Sequence, residues 1–426
     1  MHTTPSPVTV QRFVALQGEL IGLVEQDYTG LSPKLEQIIR AFEFTQIELA
    51  VYRDRGYAQR RGVGQPESDR CALACAFLAK AVLDLKTTKA LIDRLQADGI
   101  LRRLCGFDLR FALPSEATFS RAFEAFARQE LMQRVHARMI EATLGHQLIG
   151  HISRDATAIE ARESIAKKDR VQVALVPVKP KNKRGRPAKG EVRPSPQPSA
   201  LERQSSQTLV QIIAELDAAC ATGTKKNAQG YKISWKGYKL HLDTACCGVP
   251  ISAVLTGANV HDSRVAIPLM RISAQRVNAC YDLMDAAYCS TVIRDEIRVA
   301  GRVPLIDHNP RKGEKQEFAP HEAQRYKTRS DAERCNARLK DEFGARHVQV
   351  RGHAKVMCHL MLWGWWCCAP INSRGCWYEP KTQRFKTPHA QNQFAAPRED
   401  TVWVKQGKID ASAHSVLSST SKVLKI

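Results

Sequence analysis

Tyr326, Arg329, Glu333 and Lys340 follow one another at intervals of three, four and seven residues in the stretch QRYKTRSDAERCNARLKDEFGARHVQVRG. At about 100° per residue, a helix puts them near 0°, −60°, −20° and −40°, on one narrow arc. Ala332, Cys335, Leu339 and Phe343 form a second stripe roughly 100° away, which reads as the packing face. The plain reading of the charged arc is a solvated surface, with an Arg329–Glu333 ion pair worth about 0.3–0.5 kcal/mol. The other reading is chemical: a carboxylate for a cation, flanked by groups that grip an anion. The choice between them depends on what the rest of the chain brings to this face.

Two further acids suit the same task. LIGHISRDATAIEA alternates and is rich in β-branched residues, so it reads as a strand with Ser153, Asp155 and Thr157 on one face. NACYDLMDAAY reads as a strand ending at a carboxylate, Asp285. A phosphodiester repels nucleophiles, and two divalent cations about 3.5–4 Å apart activate the attacking oxygen and stabilise the leaving one. Mg²⁺ takes hard oxygen ligands and only a few protein carboxylates, with Mn²⁺ as a substitute. Asp155, Asp285 and Glu333 would supply them. Arg329 suits bidentate phosphate contact, Lys340 acts as a point charge, and Tyr326 donates its hydroxyl or stacks on a base.

Neighbouring acids compete for these roles. Asp282 and Asp285 lie three apart and face opposite sides of a continuous strand. Asp262 reads as a turn or capping residue that supports the site, and His261 as structural. Glu160 and Glu163 read as exposed ion-pairing groups, and Trp363, Trp365 and Trp366 as core.

The chain has 426 residues, 43% of them hydrophobic, which is enough for two or three domains with sizeable cores. Its 64 Lys and Arg against 43 Asp and Glu give a formal charge of +21. That excess points to a polyanion partner, nucleic acid before a membrane surface. No apolar run reaches the roughly 18 residues of a membrane span, and the N-terminus lacks the pattern of a secretory signal. The 13 cysteines show neither C-x-x-C nor zinc-finger spacing, and Cys71 and Cys75 read as core. These features suit a cytosolic protein with reduced thiols.

Residues 1–140 read as helices joined by short turns, with Ser68 or Asp69 as one N-cap and Pro114-Ser115 as another start. Such a domain suits DNA binding, and a plain helical bundle equally. From about residue 145 to 360 the pattern is α/β. A basic segment interrupts it at about 167–230, with ten Lys and Arg against two acids between Lys167 and Arg193, and six prolines between 177 and 198 that argue against regular structure. Within it, KRGRPAKG carries Arg184 and Arg186. Two readings stand here: an AT-hook-like strip that lays its arginines into a narrow minor groove, or a basic linker. The α/β order is a strand with Asp155, two paired strands, a helix, a strand ending in Asp285, a helix, a strand, and the helix with Glu333. This is the order of an RNase H-like mixed sheet.

The spacing Tyr-x2-Arg-x3-Glu-x6-Lys at 326, 329, 333 and 340 resembles the signature of a large branch of insertion-sequence transposases with a DDE active site. SRDATAIEARES is similar to the first-Asp region of that family, and GYKLHLDTACCGVPISAVLTGANVHDS to its central strands. DLMDAAYCS is similar to its Asp-x-Gly-Tyr motif, with Asp285 and Tyr288 matching and Ala287 where Gly is usual. The helical stretch from Leu78 to Phe123 resembles its N-terminal domain. The resemblance spans roughly residues 60–360. It implies Asp155, Asp285 and Glu333 as the metal-binding triad holding two Mg²⁺, with Tyr326, Arg329 and Lys340 as DNA-contacting companions. It also implies double-stranded DNA as partner, both element ends and target, and a homodimer on that DNA. It selects Asp285 over Asp282.

After about Leu362 the periodicity fails, so residues 370–426 read as an atypical, poorly ordered tail. A frameshift or fusion would account for it. The alternative function is therefore a transposase-derived DNA-binding protein, catalytically defective through its altered end.

Overall fold

The computed structural model describes residues 32–55, 69–165, 198–226, 229–310, 314–346 and 348–364. Arg184 and Arg186, the tryptophans at 363, 365 and 366, and the tail from 370 lie outside the residues or side chains described.

Among the described residues, seven helices come first: α1 (Pro33–Thr45), α2 (Ile47–Arg55), α3 (Arg70–Val82), α4 (Thr88–Ala97), α5 (Gly99–Leu104), α6 (Glu116–Arg128) and α7 (Leu131–Leu144). Their starts are written in short polar side chains. Asp69 accepts from the amides of Cys71 and Ala72 to open α3, and Ser115 caps α6 through Thr118. Such caps are each worth about 1 kcal/mol. Helix α3 is buried along almost its whole length, Cys75 included, and is the axis of the bundle. Phe77 on it meets Phe119, Phe123 and Phe126 of α6 at ring-centroid distances of 5.9, 5.0 and 6.4 Å. No disulfide joins the described cysteines to one another.

The α/β part follows: β1 (Leu148–Glu160), α8 (Ala200–Ser206), α9 (Leu209–Glu215), β2 (Ala221–Lys226), β3 (Lys232–Ala245), β4 (Pro250–Gly257), α10 (Ser263–Ala274), β5 (Asn278–Met284), α11 (Thr291–Val299), β6 (Val303–Ile306), α12 (Pro320–Tyr326), α13 (Ser330–Asp341) and α14 (His353–Gly364). One sheet runs in the order β2-β3-β1-β5-β6, and β4 also pairs with β3. β1 is antiparallel to β3 and parallel to β5, and β5 is parallel to β6. This mixed order around a central β1 is that of an RNase H-like core. Gly248, at φ 78°, turns the chain between β3 and β4, as Gly-Val-Pro predicts.

Two expectations need correction. The basic interruption is shorter than 167–230, because α8, α9 and β2 occupy residues 200–226. Capping boxes at Ser199/Glu202 and Thr208/Gln211 start the two helices, and these local signals outweigh the surrounding polarity. The helix carrying Tyr326 and Glu333 is also not continuous: residues 327–329 form a 3₁₀ turn between α12 and α13.

The change of architecture near residue 145 is not a gap in packing. Buried side chains of α1–α7 join those of β1, β3, β4, α13 and α14 in one apolar core. His136 of α7 ties the two parts together through Pro250 O at 3.0 Å, which makes Nε2 the donor. A second core, including Ile212, Ile267, Met284, Tyr288 and Ile306, lies with α9, α10 and α11. The sheet is thus backed by helices on both sides.

Candidate active site

Strand parity sorts the acids. Ile152 pairs with Asp282 and Ser153 with Leu283 across the parallel β1–β5 ladder. Continued two residues, that register sets Asp155 beside Asp285, on strands about 4.8 Å apart. Asp282, of opposite parity, shares a face with Arg154 and is wholly buried. There Arg154 makes a bidentate pair with Asp243 at 2.7 and 2.7 Å and reaches Asp282 at 3.4 Å. Arg302 reaches Asp282 at 3.4 Å, and Ser273 donates to Asp243 at 2.6 Å. Asp282 is therefore part of a buried ionic network.

Asp155 and Asp285 have a different environment. Burial, joined by repulsion from Asp285, pushes the Asp155 carboxyl up to about 6. Burial also raises Asp285, with Asp262 and Asp307 adding to the effect. Asp285 Oδ1 accepts from Ala287 N at 3.0 Å, which fixes the carboxylate at the end of β5. Asn336 of α13 donates to Asp155 Oδ2 at 3.0 Å, and its own Oδ1 is buried without a hydrogen-bond partner. The Tyr288 hydroxyl is also buried and unpartnered, and the charges of Asp262, Asp155 and Asp285 act on it.

The α12–α13 segment brings the rest. Its 3₁₀ turn, at about 120° per residue, stacks Arg329 in line with Tyr326. The Tyr326 hydroxyl donates to Met284 O at 3.0 Å and its ring lies 4.7 Å from Phe318. Tyr326 therefore clamps α12 to the end of β5 and is not a free donor. Burial opposes charge on Arg329, but Tyr326, Asp155, Glu333 and Asp285 around it hold the guanidinium firmly protonated. Its partner is Glu333, whose side chain is 57% exposed against 19% for Arg329. Lys340 lies farther along α13; burial, with Lys225 and Arg346 nearby, lowers its pKa. The packing stripe is as expected: Ala332, Cys335, Leu339 and Phe343 are all buried.

The structure thus brings Asp155, Asp285, Arg329 and Tyr326 together, while Glu333 is turned to Arg329. Among the described residues, no three carboxylate, imidazole or thiol groups are arranged to hold a metal ion. Asp262 makes no capping bond on α10; it takes Lys239 at 2.9 Å and lies 3.9 Å from His241. His261 is local structure, with Nδ1 2.8 Å from Ser263 Oγ. Glu160 is exposed, whereas Glu163 accepts from Gly352 N at 2.8 Å and from the Tyr238 hydroxyl. Asn336 was not anticipated; its place three residues after Glu333, near the edge of the charged arc, is the signal that could have found it.

Residues 200–367 match the family model described as Transposase DDE domain, and residues 25–125 match the one described as Transposase domain (DUF772). The first match contains Asp285 and Glu333, and Asp155 lies upstream of it. No curated protein and no solved structure matches the chain. No helix among the described residues is long and apolar enough to cross a membrane.

Proposed function

The chain belongs with the DDE insertion-sequence transposases, enzymes that act on DNA, and from that premise we propose that it binds the terminal inverted repeats of its element and cuts and joins strands with Asp155, Asp285 and Glu333. The branch we assign is the one with the Tyr-Arg-Glu-Lys signature. The observation that carries the reading is the pair Asp155 and Asp285, abreast where β5 ends beside β1, with Arg329 near them.

The residues fit a divalent cation. Two hard-oxygen carboxylates are raised in pKa by burial and by neighbouring acids (Asp285 for Asp155, Asp262 and Asp307 for Asp285), so a positive charge placed between them would relieve both. An amide oxygen of Asn336, buried without a partner, adds a further polar group near Asp155. Mg²⁺, or Mn²⁺ in its place, would be held by Asp155 and Asp285 and completed by Glu333; bound there, it polarises the phosphate and activates the attacking oxygen.

The chain's own residues do the rest. Arg329 grips a phosphate flanking the scissile bond, and in doing so exchanges Glu333 for the phosphate oxygens. Glu333, exposed and held mainly by that ion pair, is then free to turn toward Asp155 and Asp285. Asn336 keeps Asp155 oriented. Lys340, in a group with Lys225 and Arg346, attracts the backbone farther along the duplex. Two element ends brought together call for a homodimer.

The deciding experiment is strand cleavage on end-containing DNA with Mg²⁺, run beside Asp155→Ala. Cleavage that disappears in the variant supports the reading. Specific binding without cleavage by the unaltered chain favours a DNA-binding remnant instead.

A further inference from the structure

A cavity of about 370 Å³ lies between the helical bundle and the end of the α/β layer, away from the acids. Lys80, Arg162, Arg351 and Lys355 line it, and among the described residues no carboxylate does. Phe77 and Phe123, buried and packed 5.0 Å apart, form its floor, and Ala81, Val350 and Leu362 add an apolar wall. Thr88, the first residue of α4, also borders it, so the positive end of that helix is close.

These cations are weakly compensated. Lys355 has Glu124 at 3.6 Å, and Arg162 donates only to the neutral amide of Gln349 at 3.2 Å. Lys80 reaches the Lys86 carbonyl at 3.4 Å, and burial brings its ammonium down to about 8. Lys355 and Lys80 are partly matched by Glu124 and Asp84, while Arg162 and Arg351 have no carboxylate partner among the described residues, so the cavity carries surplus positive charge that an anion would complete. The size suits a small organic ligand, since such pockets run from about 300 to 1,000 Å³.

We propose that this cavity is a nucleotide site, with the four cations on the phosphate and the base against the apolar wall of Ala81, Val350 and Leu362. Arginine forks match phosphate oxygens, and apolar walls with a few placed polar groups are what small-molecule pockets offer. The nucleotide comes either from a strand end of bound DNA or from the free pool. The inference rests on the DNA-acting reading only for the first of these sources.

The test titrates the full-length chain with dAMP, inorganic phosphate and a short single-stranded oligonucleotide, in parallel with Arg351→Ala, Arg162→Ala and Lys80→Met. dAMP should bind saturably and more tightly than phosphate, and each variant should weaken it by about tenfold, the effect of losing one charge-assisted contact. Arg162 and Arg351 are exposed, so those two variants should melt with the parent and keep the comparison clean. An oligonucleotide that displaces dAMP identifies a strand as the source; one that leaves dAMP bound identifies the free nucleotide. Absence of saturable dAMP binding, variants that bind it as well as the parent, or phosphate binding as tightly as dAMP would overturn the proposal. End-DNA cleavage measured on the same sample separates the two readings: cleavage without dAMP binding sinks the cavity alone.

Discussion

Arg154 and Asp155 are neighbours on β1, yet they serve opposite faces of the sheet under opposite rules. On one face Arg154 is buried with Asp243, Asp282 and Arg302, each charge matched to another at fixed distance. On the other, Asp155 sits near Asp285 with its charge disfavoured, and the nearby guanidinium of Arg329 is shared with Glu333. The first arrangement is complete without a ligand. The second is electrostatically unfinished, and that is what a site awaiting cation and phosphate requires.

The largest effect that would sharpen this contrast is on catalysis. Asp155→Ala or Asp285→Ala should cut strand cleavage by about a thousandfold or more, the loss of several kcal/mol of transition-state stabilisation. The melting temperature should hold or rise. A variant that cleaves normally would break the assignment. Next comes Arg154→Leu, which strands two buried carboxylates and should cost about 3–5 kcal/mol in urea unfolding. Arg329→Ala, by comparison, should cost less than about 1 kcal/mol of stability while weakening binding to end DNA.

Buried histidines and Asp155 differ in pH response. His136 and His241 are buried and held neutral, each with its pKa lowered to about 3. Because the folded values lie below the unfolded 6.5, their stabilisation is complete above about 6.5 and drains away as pH falls toward 3. Asp155 has the reverse sign. Its folded value near 6 exceeds 3.8, so its contribution is greatest below 3.8 and is lost as pH rises through 6. Asp155→Asn should therefore raise the melting temperature more at pH 8 than at pH 4, and equal gains at both would refute the burial argument. The smallest and most general effect is ionic: affinity for DNA should fall steeply with salt, as phosphate neutralisation releases counterions.

Much of this was legible in the chain. The alternation around Asp155, the parity that separates Asp282 from Asp285, and the packing stripe of α13 follow from periods of two and 3.6. The succession of strands and helices from β3 onward was legible too, whereas β2 lay inside the stretch read as a basic interruption. What escaped depends on contacts between distant residues. Nothing local to Arg154 announces Asp243, which lies 89 positions away. Asn336 gains its meaning only once α13 is laid across β1. The 3₁₀ turn at 327–329 has no proline or glycine to mark it. The short helices at 200–215 were hidden by their polar surroundings, although their capping boxes were there to be read.

The apolar interior that α1–α7 share with the sheet limits how such a protein can diversify. A helical bundle that owned its interior could be transplanted whole from one relative to another. Here a grafted bundle would have to reproduce the surface that meets β1, β3, β4 and α14, down to the imidazole that seats on Pro250. Change in the bundle is therefore expected to fall on individual outward-facing side chains, with the buried faces inherited unchanged.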